Sequence, residues 1–181
     1  MKYSLLILFF FDVVAVLGQV TSHTWADEEP MIYRLQISDL YDDSIDLYSA
    51  SDTNVVIASY KHQKEDDLYV TLEVVDSVSV GNWLRVIPRW NDGDTLAVED
   101  GYIRLAPYII VWPRHPDEIY LYESPNYKSQ YYVVRSMQNY LSVQKFANGW
   151  VYTSFMDQLG LQHEGWVTPE SLCPLTLTTC N

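Results

Sequence analysis

The chain is short of positive charge, cysteine and glycine, and each shortage excludes something. It carries 11 Lys and Arg against 24 Asp and Glu, a formal net charge of -13. No basic stripe interrupts that balance, so phosphate backbones and anionic lipid surfaces are repelled rather than recruited. Only two cysteines occur, Cys173 and Cys180, without a nearby histidine pair, which excludes a zinc site. Glycine numbers 7, and no phosphate-cradling loop, dinucleotide fingerprint or nucleophile elbow is present. No window of useful length shows a helical apolar stripe.

The remaining polar residues do not form a reaction centre. His23, His62, His115 and His163 are not paired at metal-ligand spacing. The acid pairs Asp42-Asp43, Asp66-Asp67 and Glu99-Asp100 are loop neighbours, not two carboxylates flanking a cleft. Asn91-Asp92-Gly93-Asp94 with Glu99 and Asp100 lacks the ligand order of a calcium loop. Neither catalysis, nor a metal, nor a cofactor is expected.

Met1 and Lys2 precede an apolar run, Tyr3 to Leu17, closed by Gly18. This pattern predicts an export signal over 1–18, cut after Gly18, with Val16 and Gly18 at the positions the peptidase reads. The run contains Asp12 and is shorter than the ~20 apolar residues that span a bilayer. The expectation is a secreted or periplasmic protein with no membrane span after cleavage. In that compartment Cys173 and Cys180 could pair and staple the tail, though so short a loop adds little stability.

What is abundant is aromatic and aliphatic. Hydrophobic residues make up 48% and aromatics 14%, with 15 Tyr and 6 Trp. Ring and branched side chains suit a pleated, half-buried surface, so the composition favours strands. The clearest runs are Met31–Ile37, Val55–Tyr60, Leu68–Val75, Trp83–Ile87, Tyr131–Val134, Tyr140–Phe146 and Trp150–Phe155. Turn-like clusters separate them, and Asn148-Gly149 is a strong hairpin signal. The chain is read as all-β.

It also repeats itself. A first copy runs Ile45-Asp-Leu-Tyr48, Leu72-Glu-Val-Val, Gly81-Asn-Trp83-Leu-Arg-Val86 and Gly101-Tyr-Ile103-Arg-Leu105. A second runs Ile119-Tyr-Leu-Tyr122, Leu141-Ser-Val-Gln, Gly149-Trp150-Val-Tyr-Thr and Gly165-Trp-Val167, ending at Leu172. The first copy carries extra residues between Asp52 and Leu72, including the charged stretch Lys61 to Asp67.

Three segments of the second copy, Leu121-Tyr122-Glu-Ser-Pro125, Asn148-Gly149-Trp150-Val-Tyr-Thr and Gly165-Trp166-Val167 through Leu172, resemble the bacterial SH3 family. The first copy matches more loosely, with Asn82 between Gly81 and Trp83 and Tyr102 in place of the closing tryptophan. The resemblance implies two tandem SH3-like small β-barrels: a leader and first strand over 19–42, barrel 1 with an insertion over 43–111, and barrel 2 with a tail over 112–181. Ligands of SH3-like domains usually lie in a shallow aromatic groove. Carried over, that suggests Tyr122, Tyr127, Trp150, Tyr152 and Trp166 in the second copy, and Tyr48, Trp83 and Tyr102 in the first. Such rings suit extended peptides and sugar faces. The rings could instead fill the barrels or the interface between them, the reading preferred for Trp83 and Trp166 and left even for Trp150.

The functional expectation is a non-enzymatic extracytoplasmic module for an extended peptide, a cell-wall fragment such as peptidoglycan, or a protein partner. The competing expectation is an acidic inhibitor or immunity protein that neutralises a basic hydrolase, steered by the charge.

Overall fold

Alternation sets the strands. Arg34-Leu35-Gln36-Ile37 and Ile45-Asp46-Leu47-Tyr48 each bury every second side chain, the period of a half-buried strand. The computed structural model of the protein describes residues 33–51, 54–76, 78–92, 94, 96, 100–135 and 137–173. The expected export signal and most of the leader lie outside these residues, as does Cys180, the expected partner of Cys173. The described residues belong to one compact unit. They are all-β: thirteen strands in two antiparallel sheets, with two short 3-10 turns.

In chain order the strands are β1 Arg34–Ile37, β2 Ile45–Tyr48, β3 Val56–Tyr60, β4 Val70–Val74, β5 Trp83–Trp90, β6 Gly101–Arg104 and β7 Ile109–Val111, then β8 Ile119–Tyr122, β9 Tyr131–Val134, β10 Leu141–Ser142, β11 Lys145–Ala147, β12 Trp150–Met156 and β13 Gln162–Val167. One sheet has the order β10-β7-β1-β4-β5-β6-β2-β3, the other β11-β12-β13-β8-β9.

The sequence repeat is repeated in space. Strand order β3-β2-β6-β5-β4 in the first sheet matches β9-β8-β13-β12-β11 in the second. Register follows: Tyr48 faces Tyr102 as Tyr122 faces Trp166, and Val86 faces Gly101 as Thr153 faces Gly165. The two glycines do the same job. A Cβ at Gly101 would lie 2.6 Å from Leu47 Cγ, and one at Gly165 would lie 2.9 Å from Leu121 Cβ. Glycine is therefore what lets β6 and β13 approach β2 and β8. Asn148 and Gly149 both take positive φ, at 49° and 83°, as a two-residue hairpin turn requires.

The halves also share structure. β10 comes from the second copy yet pairs with β7 at the edge of the first sheet. Ser79 N–H donates to the Phe146 carbonyl, and the Phe146 N–H donates to Ser79 Oγ. One continuous core runs through both, built from Leu35, Leu47, Leu72, Leu84 and Ile103 and from Leu121, Leu141, Phe146, Val151 and Val167.

His62 pins the charged insertion to this core. It is buried; its Nδ1 accepts from Val70 N–H at 3.0 Å, and its Nε2 donates to the Ser38 carbonyl at 3.1 Å. That pattern needs a neutral ring, because a doubly protonated ring cannot accept. Burial pushes its pKa down, outweighing the pull of the Ser38 carbonyl; Lys64 disfavours the charge, while Asp39 and Asp42 favour it. The folded pKa is depressed, so the unfolded chain binds the proton more readily. The stabilisation is therefore complete above the unfolded value of about 6.5 and is lost as pH falls through the folded one. Urea melts of the wild type and His62→Gln should show a steeper loss of stability on acidification below about pH 6.5 in the wild type. Parallel pH profiles would refute the role.

Candidate functional site

In an antiparallel sheet, residues directly opposite one another share a face. The register of the second sheet gives one unbroken row: Tyr131 on β9, Tyr122 on β8, Trp166 on β13, Tyr152 on β12 and Lys145 on β11. It crosses the full width of the sheet. The opposite face holds Leu121, Gly165, Val167, Val151 and Phe146, all buried. The sheet thus has one apolar core face and one half-solvated face tiled with rings.

Rings support one another along the row. Tyr122 and Tyr131 centroids lie 5.1 Å apart, Tyr152 and Trp166 5.4 Å, and Tyr120 and Tyr131 5.8 Å. These are ordinary spacings for aromatic pairs. Lys145 Nζ sits 4.9 Å from the Tyr152 ring centre, a cation–π contact that ends the row.

Beside the row stands a second group. Trp150 is buried, with Tyr122 edge-on at 5.2 Å and 87° and Tyr127 at 4.8 Å and 61°. Tyr127 is exposed on the loop between β8 and β9. Its hydroxyl donates to Glu170 Oε1 at 2.5 Å. Glu170 belongs to the 3-10 turn Pro169–Ser171, whose N-cap Thr168 accepts from the Ser171 N–H. Tyr33 comes from the other sheet's end of the chain and packs over Gly149 and, edge-on at 5.6 Å, against Phe146.

The phenols here are held protonated. Partial desolvation of its hydroxyl raises the pKa of Tyr127, helped by the hydrogen bond to Glu170; desolvation and then the Tyr131 and Glu170 charges raise that of Tyr122. Burial and then Glu164 raise Tyr152. Each hydroxyl is therefore a neutral donor near neutral pH.

The structure places four of the second-copy candidates, Tyr122, Trp150, Tyr152 and Trp166, on one face of one sheet, with Tyr127 packed on Trp150 from the β8–β9 loop. Three of these five lie in the row and two beside it. Trp166 and Trp83, expected to fill the barrels or the interface between them, are half-buried on the outer faces of their sheets, and the inner faces carry aliphatic side chains. Trp150 is the ring that is buried. In the first copy Tyr48 meets Trp83 edge-on at 5.1 Å and 82°, the counterpart of Tyr122 and Trp150. Tyr102 lies between Tyr48 and Arg85 in register. That row contains Val56 and Arg85 where the second has Tyr131 and Tyr152, so it has fewer rings. Sequence reasoning missed Tyr131, Lys145 and Glu170. Tyr131 was legible as part of a strand, but only pairing with Tyr122 puts it in the row.

Asp100 pairs with Arg85, and among the described residues no cluster of His, Cys, Asp and Glu is arranged to hold a metal ion. Comparison with protein-family profiles, curated proteins and solved structures returns no match.

Proposed function

We propose that the chain is a non-enzymatic extracytoplasmic binding module, built as two tandem SH3-like small barrels, that holds an extended peptide segment across the aromatic row of its second half. The repeated five-strand order, the paired glycine corners and the sequence blocks all support the SH3-like reading. The single observation that carries the function is the row from Tyr131 to Lys145. At the ~4.8 Å spacing of strands, five positions span roughly 19 Å. An extended chain advances about 3.3 Å per residue, so the row matches some six residues. Flat rings with edge hydroxyls accept prolines, aliphatic side chains and backbone amides with little entropy to lose.

Selection of random heptapeptides displayed on phage tests this. Enriched peptides should bind the wild type, and the double substitution Tyr131→Ala with Tyr152→Ala should weaken them at least tenfold with an unchanged circular dichroism spectrum. No enrichment, or equal binding by the variant, would overturn the proposal. The -13 charge favours a second reading, an inhibitor of a basic hydrolase. Its association rate would fall steeply with salt, whereas a stacking platform would respond weakly.

A further inference from the structure

The two copies differ at one point that bears on what the second copy binds. In the first, Arg104 stands opposite Trp83 in register, and its guanidinium lies 5.6 Å from the indole centre. The edge-on Tyr48–Trp83 pair thus has a cation supplied from within the chain. In the second, Val151 faces Val167, the last pair of the ladder, and the position that continues the register beside Trp150 is Thr168. An uncharged, buried side chain stands where the first copy has its arginine.

The opposite exchange occurs two residues on. Ala106 follows Arg104 at that distance, and Glu170 follows Thr168. The first copy has a cation and no carboxylate; the second has a carboxylate and no cation. Glu170 is exposed, and its charge reaches Tyr33, Tyr122 and Tyr127. Among the described residues no Lys or Arg is ion-paired with it; Lys128, next to Tyr127, is not. Tyr127 uses one carboxylate oxygen, and a carboxylate accepts several donors. The cation–π contact of the second sheet, Lys145 on Tyr152, is also supplied internally.

We infer that Tyr127, Tyr122 and Glu170 form a seat for a guanidinium or ammonium group of the bound partner. This rests on the binding-module reading and names the chemistry its ligand must carry. The cation stacks on the exposed Tyr127 ring beside Tyr122 and pairs with the free Glu170 oxygen, a cation supplied in trans where the first copy supplies Arg104 to Trp83 in cis. The overall negative charge raises the local concentration of such ligands.

The probes are N-acetyl-arginine methylamide and its uncharged isostere, the citrulline derivative, titrated into the full chain by NMR. The arginine probe should shift the Tyr127 and Trp150 ring resonances saturably, with at least fivefold higher affinity than the citrulline probe. Glu170→Gln should lower the arginine affinity at least fivefold and leave the citrulline affinity alone. Tyr127→Phe, which keeps the ring and drops the clamp to Glu170, should retain the preference for arginine. Equal affinity for the two probes, or arginine binding indifferent to Glu170→Gln, would sink the seat. The two readings fail separately. Peptides that need Tyr131 and Tyr152 but ignore Glu170→Gln end the seat alone. Saturable arginine binding without any selected peptide ends the platform alone.

Discussion

Phe146→Ala should cost about 3–5 kcal/mol, the usual range for deleting a fully buried phenyl ring. Phe146 is 1% exposed and packs against Tyr33, which immediately precedes β1 of the other sheet. Its backbone shares three hydrogen bonds with Ser79. Truncation leaves a cavity beside the seam between the halves, where collapse needs both sheets to move. Against a typical total of 5–15 kcal/mol, such a loss is a large fraction of the whole. Urea denaturation followed by tryptophan fluorescence should show it, with the melting temperature lower by roughly 10 °C. A loss below about 1 kcal/mol would mean the ring is not packed as described.

Gly165→Ala should be the next most costly, about 1–3 kcal/mol from overpacking. The added methyl would sit 2.9 Å from Leu121 Cβ and 3.1 Å from the Tyr122 carbonyl oxygen. Both atoms are fixed to the backbone of β8, so neither swings away. At Gly101 the two nearest atoms belong to the Leu47 side chain, which has more freedom to adjust. Relief at Gly165 means pushing β8 from β13, which parts Tyr122 from Trp166 in the row. The substitution should therefore lower stability and weaken peptide binding together. Gly160→Ala is the control: its Cβ meets nothing within 4 Å, leaving only the strain of φ 77°. Equal losses at the two sites would refute the close-approach argument.

Much of this architecture was legible in the chain because its signals are local. Asn148-Gly149 announced its hairpin. Three of the four recurring blocks fell on matching strands, the block at Leu141 being the exception, and Gly101 and Gly165 landed at equivalent corners. Tyr122, Trp166 and Tyr152 were named from motif and alternation, and they prove to be register partners. What could not be read depends on long-range pairing. Ile109–Val111 is buried throughout and has no alternation to announce it. Leu141–Ser142 reads as part of its own copy and instead completes the other sheet. Glu170 looks like any surface acid until the fold sets it against Tyr127. His62, one histidine in a charged stretch, carried no sign that it would be buried and doubly hydrogen-bonded.

The strand that crosses over has a practical consequence. β10 leaves its own copy to extend the sheet of the other, so a cut between residues 111 and 112 would strip one fragment of an edge and leave the other with an orphan. Anyone transplanting the ring-bearing face to a new scaffold should therefore carry the whole span 33–173, not the second half that displays it.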